Sequence, residues 1–406
     1  MRLLHTSDWH LGHTLRGEVT REHEHAVFLA WLLETCVREA ADALLITGDV
    51  FDSATPPASA ERMWFELLAA ARRARPAMDI VAIAGNHDSP ARLGAASAVL
   101  RELGVHVVGS LPRTAGGELD LDHVVIEIAG GRGLVAAVPF LRPIDLPADP
   151  ANPLEAVYGE VLAAARARRT AGQALIATGH LYVAGADAAY LSERRVSIGG
   201  VESAPLRLFP QDLDYVALGH IHRAQRVGRD TVRYAGAPIP LALDEAGYRH
   251  SIAAIDFAGG RVSQIRLLDI PQANAVLRVP RRGAAPLGEV LAALDALPPR
   301  RADEHRPYLE VVVALDRPEP KLRALVETAL EGKHARLIQL HVEHTGDRAA
   351  LGDRVSARRL AELDPRDVFL QLWAREHAEP PSAEVVAGFD RLLADVSGDA
   401  ADPGAS

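Results

Sequence analysis

The chain has 406 residues, 48% of them hydrophobic and 24% charged, with a formal net charge of −10. That length exceeds one ordinary core, the balance is that of a folded protein, and the acidic excess argues against bulk electrostatic coating of nucleic acid. A single cysteine, Cys36, excludes an internal disulfide framework, and the lack of any apolar run near the roughly 18 residues of a membrane helix points to a cytoplasmic protein without a membrane partner.

In chain order, five short apolar runs predict buried strands: Leu3-Leu4, Ala43 to Ile46, Ile80 to Ile83, Ala174 to Ala177 and Tyr215 to Leu218. Helical patterns lie between them over 22–41, 59–74 and 154–169, so strand and helix alternate in an α/β domain. Further strand-like segments at 124–128, 134–138, 232–235 and 251–257 predict a second sheet or one large mixed sheet. Beyond the change of texture at Pro271 to Pro280, strands at 276–279, 308–314 and 337–342 and helices at 287–297 and 321–330 predict a small α+β module. Asp364-Pro365 and Ser382 then cap two amphipathic helical stretches, and 397–406 is small and polar. The domain expectation is 1–270, 271–345, 346–396 for a partner-binding helical segment, and a disordered 397–406 tail.

Each of the five strands ends in a chemical knot. These are Asp8-Trp9-His10, Gly48-Asp49, Gly85-Asn86-His87-Asp88, Gly179-His180 and Gly219-His220-Ile221-His222. Ligand sites in open α/β sheets gather outside the carboxyl ends of strands, so the knots are expected to converge. Asp, His and Asn without cysteine form an oxygen and nitrogen set for hard or borderline divalent metals, and they are more donors than one metal uses. Two metals about 3.5–4 Å apart would use them, clamp a phosphoryl group and generate a nucleophile from water. Asp49, ending a central strand, is the natural bridge. His87 is a candidate proton donor to the leaving group, with Asp88 beside it as an orienting carboxylate. Glycine before a ligand lets the backbone turn and approach closely.

The knots, in this order, resemble the calcineurin-like metallophosphoesterase superfamily. The runs 3–12, 46–52, 217–225 and 234–241 narrow the resemblance to the SbcD family of bacterial nuclease subunits. It covers 1–270 closely and the module after it in outline. The resemblance implies a two-sheet sandwich flanked by helices, a small α+β capping domain and a C-terminal helical segment. It assigns Asp8, His10, Asp49 and His222 to one metal and Asp49, Asn86, His180 and His220 to the other. His87 would contact the scissile phosphate. It further implies two Mn2+ ions, DNA as substrate, a homodimer and an SbcC-like coiled-coil ATPase partner bound by the C-terminal helices.

Other residues receive plainer readings. His23 and His25 read as surface or packing residues, and His341 and His344 as solvated. His13 reads equally as loop surface or DNA path. Trp9 and Phe51 read as core. The stripe of Met63, Trp64, Phe65, Leu67 and Leu68 reads as core or as part of the dimer contact with 92–100. Segment 188–233 is weakly basic. The competing functions are a small-molecule phosphodiesterase using the same site, and a structural protein tethering an ATPase to DNA ends.

Overall fold

The computed structural model describes residues 1–114, 116–147, 152–187, 203–301 and 305–345, and near the C-terminus residues 369, 373, 381, 382, 385, 386, 388 and 389. The chain divides into two compact units, Met1–Glu343 and His344–Ser406. Strands in chain order are β1 (Arg2–Thr6), β2 (Thr14–Leu15), β3 (Val19–Thr20), β4 (Ala43–Thr47), β5 (Asp79–Ile83), β6 (Val105–Val108), β7 (Val125–Ile128), β8 (Gly133–Ala136) and β9 (Ala174–His180). They continue as β10 (Tyr215–Gly219), β11 (Gln225–Val227), β12 (Arg229–Tyr234), β13 (Ser251–Ala258), β14 (Arg261–Asp269), β15 (Val276–Val279), β16 (Ala285–Pro286), β17 (Tyr308–Leu315) and β18 (Arg336–His344).

Two six-stranded sheets, ordered β14-β13-β1-β4-β5-β6 and β11-β12-β10-β9-β8-β7, make the body of the first unit. The strands at the centre of each run parallel and are buried but for the first residues of β1 and β5, Arg2 and Asp79, which is why they read as apolar runs. Their side chains alternate. Leu3, Leu45, Val81 and Ile83 pack with Val135, Ile176 and Val216 of the second sheet. Leu4, Leu44, Ile46, Ile80 and Ala82 face Phe28, Leu32, Trp64 and Leu68 on the helices Glu22–Arg38 and Ala58–Ala74. A polar tie also crosses between the sheets. His5 on β1 sets its ring nitrogens 2.9 Å from Thr47 Oγ1 and 3.0 Å from the Tyr215 hydroxyl on β10.

The sequence reading missed β6, β14, the short strands β11 and β16, and the β2–β3 hairpin. The first two are edge strands, half exposed, so their sequences carry polar residues in place of a continuous apolar run. The third sheet, β15-β17-β16 with β18 beside β17, packs against helices Leu287–Asp295 and Leu322–Ala329 around Val290, Leu294, Leu309, Val311 and Val326. It meets the first 270 residues at Leu15, Val19 and Tyr308. There the Tyr308 hydroxyl donates to Glu24 at 2.8 Å, and Arg21 Nε donates to the same oxygen at 2.6 Å. An ion pair this buried persists because its oxygen and guanidinium are hydrogen-bonded as well as charge-matched.

In the second unit, Ser382 caps as its sequence predicts. Its hydroxyl accepts the Val385 N–H at 3.4 Å and its carbonyl the Val386 N–H at 3.1 Å. The Phe369 ring stacks on Phe389 with centroids 4.2 Å apart, so the two helical stretches share apolar contact. Asp364-Pro365, most of 346–396 and the 397–406 tail lie outside the described residues.

Candidate metal centre

Three of the knots follow adjacent strands β1, β4 and β5 of one sheet, and two end β9 and β10 of the other. The parallel register brings all five to the same end of the sandwich. The turns are tight enough to leave Asp8, His10, Asp49 and His220 at φ values of 53°, 48°, 48° and 96°, a region unfavourable to residues with a Cβ. Such strain, gathered at one place, marks a site held in shape by its surroundings. Gly48 and Gly85 make the closeness possible. A Cβ on Gly48 would lie 2.2 Å from His180 Nδ1, and one on Gly85 would lie 2.1 Å from Asp49 Oδ1.

Asp49 sits between the two halves. Its Oδ2 is 3.5 Å from His10 Nε2 and 3.3 Å from His180 Nε2, while Oδ1 accepts the His87 N–H at 2.8 Å. On one side Asp8, His10 and His222 bring ligand atoms within 4.8 Å of one another. On the other, His180 Nε2 and His220 Nδ1 each lie 3.0 Å from Asn86 Oδ1. Asp8 Oδ1 accepts the His220 N–H at 2.9 Å, and the Ser7 hydroxyl bonds its second oxygen. All seven predicted metal residues therefore meet in one place. The Asp and His ligands are buried and Asn86 half-buried. His10 Nε2 is buried with no hydrogen-bond partner, as expected of a ring nitrogen meant for a cation. The donor set fits divalent metal.

The charges agree with that fit. Burial alone would raise the Asp49 carboxyl, but His180, then His10 and His87, hold it well below the usual carboxylate range. Burial works against charge on His180, yet Asp49 beside it pushes the imidazole up to about 9. His220, buried and beside His180, falls to about 3. A cation is wanted next to Asp49.

The ring nitrogens turned away from the centre have definite partners. His222 Nδ1 lies 2.8 Å from Glu245 Oε1, and Glu245 Oε2 accepts the Leu241 N–H at 2.8 Å. His10 Nδ1 lies 3.2 Å from Asp52 Oδ1, which His13 Nδ1 also meets at 2.9 Å. His180 Nδ1 donates to the Thr47 carbonyl at 2.9 Å. Such partners fix tautomer and ring direction. His13 thus belongs to the support of the site, its Nε2 3.0 Å from the Leu241 carbonyl. Sequence reasoning missed Asp52 and Glu245 as participants. Asp52 stands in the quoted 46–52 run, but Glu245 follows His222 by 23 residues with no spacing signal.

His87 is exposed, as a group facing substrate should be, and its ring meets His10 edge-on at 4.8 Å. Its Nδ1 is oriented by the Asp52 carbonyl at 2.8 Å. The expected orienting role of Asp88 is corrected here. Asp88 is buried and turned inward, accepting the N–H groups of Gly85 at 2.8 Å, Phe51 at 2.9 Å and Val50 at 3.2 Å. It ties two ligand turns together. Burial, and Asp49 nearby, push its carboxyl up to about 6. Arg142, also missed, clamps the same turn by donating to the Asp88 carbonyl at 2.7 Å and the Gly85 carbonyl at 3.3 Å.

The remaining residues sort themselves by burial. Trp9 is fully buried against Phe28 and Trp64, and Phe51 is core. His25 is buried, its Nε2 2.9 Å from the Trp9 carbonyl, whereas His23 is exposed and stacks on His305. His341 and His344 are exposed. Trp64, Leu67 and Leu68 are core while Phe65 is exposed. Residues 188–202 of the weakly basic segment lie outside the described residues. Among the described residues no helix is long and apolar enough to cross a membrane.

Comparison with known proteins places this arrangement. The calcineurin-like phosphoesterase family matches residues 1–224, and the family described as type 5 capsule protein repressor C-terminal domain matches residues 274–377. The SbcD component of the SbcCD nuclease from Rhodobacter capsulatus is 45% identical over 357 residues, 84% of this chain and 87% of that protein. The protein of the same name from Escherichia coli K12 is 36% identical over 295 residues, 68% of this chain and 71% of that protein. The one from Bacillus subtilis strain 168 is 37% identical over 287 residues, 64% and 67% of the two chains. Seven converging oxygen and nitrogen donors on this fold, with relatives of that kind along most of the chain, have one reading: the chain belongs to the SbcD family of calcineurin-like phosphoesterases.

Proposed function

We propose that this protein is a two-metal DNA nuclease subunit that hydrolyses phosphodiester bonds at DNA ends and works with an SbcC-like ATPase. The observation that carries the reading is Asp49, set between His10 and His180 with donors from five strand ends around it. Asp8, His10, Asp49 and His222 would hold one metal, and Asp49, Asn86, His180 and His220 the other, with Mn2+ suited to the mixed oxygen and nitrogen set. When bound, such a pair polarises a phosphoryl group and supplies a nucleophile from water near neutral pH.

The chain's own residues do the rest. The buried ligand turns exclude bulk water from one side, and His87 faces outward with Nδ1 held by the Asp52 carbonyl. Its Nε2 is the atom positioned to give a proton to the departing oxygen.

DNA is favoured by a basic cavity of about 330 Å3 lined by Arg300, Arg301, Arg306 and Arg336, beside His23 and His305. Burial and the neighbouring charges of Arg300 and Arg336 lower the Arg306 pKa, the mark of cations gathered close together. A homodimer is supported by apolar residues left in water: Phe65 at 46%, Val99 at 69% and Leu103 at 48% exposure, on helices Ala58–Ala74 and Ser97–Glu102 and the C-cap of the latter. The deciding experiment offers the full chain with Mn2+ duplex ends, single strands and mononucleotide diesters, with and without the ATPase. Cleavage of DNA stimulated by the ATPase is the expected result. Turnover of small diesters alone, or none of any substrate with both metals bound, would overturn the reading in favour of a small-molecule enzyme or a tethering protein.

A further inference from the structure

The two candidate metal positions are built unequally. Around Asp8, His10 and His222, both histidines are backed by a carboxylate: Asp52 Oδ1 is 3.2 Å from His10 Nδ1, and Glu245 Oε1 is 2.8 Å from His222 Nδ1. Asp8 groups with Asp49 and His180 as well as with His10 and His222, so the direct carboxylates are within reach of both sides and the difference lies in what stands behind the histidines. Around Asn86, His180 and His220, the direct ligands are an amide and two imidazoles, and His180 is backed by the neutral Thr47 carbonyl at 2.9 Å. Asp49 is shared. A carboxylate behind an imidazole raises the basicity of the ligating nitrogen and adds long-range attraction for the cation, both strengthened by burial. Glu245 is fully buried, so water takes nothing from its effect, and Asp52, half-buried, keeps part of its own.

We propose that Asp52 and Glu245 are positioning residues that set the two metals apart, making the Asp8–His10–His222 side the first filled and more tightly held position. The Asn86–His180–His220 side is then the weaker, exchangeable position, and its occupancy decides when the pair is complete. The inference rests on the two-metal reading above, but it concerns binding order and not the substrate.

The order of binding follows from the backing groups, since Asp8 and Asp49 lie within reach of both sides. Once one ion is in place its charge opposes the second, widening the gap. The loop Pro240 to Glu245 fixes the geometry. Arg21 Nη1 donates to the Pro240 carbonyl at 2.7 Å, His13 meets Leu241, and the Leu241 N–H orients Glu245.

Calorimetric titration of Mn2+ into the metal-free full chain tests this, with electron paramagnetic resonance at one and two equivalents. Two binding steps at least about tenfold apart are expected, with an isolated-ion spectrum at one equivalent and a spin-coupled one at two. Asp52→Asn keeps an oxygen for His10 and His13 but removes the charge. It should weaken the tight step by about 10–100-fold, the usual effect of changing a group behind a ligand, and move the weak step far less. Glu245→Gln should do the same. Asn86→Ala should remove the weak step and leave the tight one. Two equal steps in the unaltered chain, loss of the tight step in Asn86→Ala, or an unchanged tight step in Asp52→Asn would each overturn the proposal. Circular dichroism of the metal-free variants separates misfolding from lost affinity, and should Glu245→Gln fail to fold, Asp52→Asn decides. None of these readouts involves cleavage, so the nuclease reading stands or falls separately.

Discussion

The backbone N–H of His87 donates to Oδ1 of Asp49 at 2.8 Å, leaving Oδ2 to face His10 and His180. One carboxylate thus fixes the turn that carries the exposed histidine and occupies the space between the two ligand sets.

Asp49→Ala is expected to cost more than any other single ligand change, because both metals lose a donor. Manganese-dependent cleavage should vanish and calorimetry should show both binding steps weakened, with the circular dichroism spectrum retained. Near-normal activity with two metals still bound would remove Asp49 from the bridging role.

His87→Ala should leave both metals and DNA bound and lower cleavage by about 10²–10⁴-fold, the range for a lost general acid. A diester with a very good leaving group should suffer less, since it needs no proton to depart. Equal losses on good and poor leaving groups would count against proton donation.

Stability of the metal-free chain should fall in acid through His5 and His25. Burial, with Arg233 near His5 and Arg21 near His25, lowers both to about 3 in the folded state. The unfolded chain takes up a proton at each near pH 6.5, and the folded chain does not until near pH 3. The pair therefore stabilises fully above about pH 6.5, and the stabilisation drains away as pH falls toward 3, by roughly 1.4 kcal/mol per histidine per pH unit. His25→Gln should flatten the slope of unfolding free energy between about pH 6 and 4 by one histidine's share. An unchanged slope in urea titrations would show that His25 is not the neutral buried group described here.

Arg306→Ala and Arg336→Ala should weaken DNA binding about uniformly across sequences. Each should also lower the slope of log affinity against log salt by about 1, as for lost phosphate contacts. Metal affinity should not change. Fluorescence anisotropy with a duplex at several salt concentrations measures both quantities, and unaltered slopes would move the DNA path elsewhere.

Deleting 346–406 should spare metal-dependent cleavage of single strands and abolish association with the ATPase and any stimulation by ATP. The two helical stretches meet through Phe369 and Phe389, and their remaining apolar residues suit a groove on partner helices. Co-purification of the truncated chain with the ATPase at undiminished affinity would exclude this segment as the attachment point.

The sequence by itself determined the five buried strands, the helices between them and the Asp, His and Asn knots at the strand ends whose side chains converge. Central parallel strands are covered on both faces, so they must be apolar throughout, and ligands at their ends must be small polar knots. Edge strands such as β14 escape that rule, since water satisfies one face and the apolar signal is diluted. What stands behind the ligands was decided only in three dimensions. Asp88, adjacent to His87 in sequence, turns inward to the N–H groups of Gly85, Val50 and Phe51, because a buried carboxylate must be satisfied by the nearest donors. Glu245 reaches His222 across 23 residues only because the chain after β12 folds back over the first ligand turn. Local pattern records which face a residue must bury. The second atom of a ligand, its partner, is chosen by packing between segments that the sequence holds far apart.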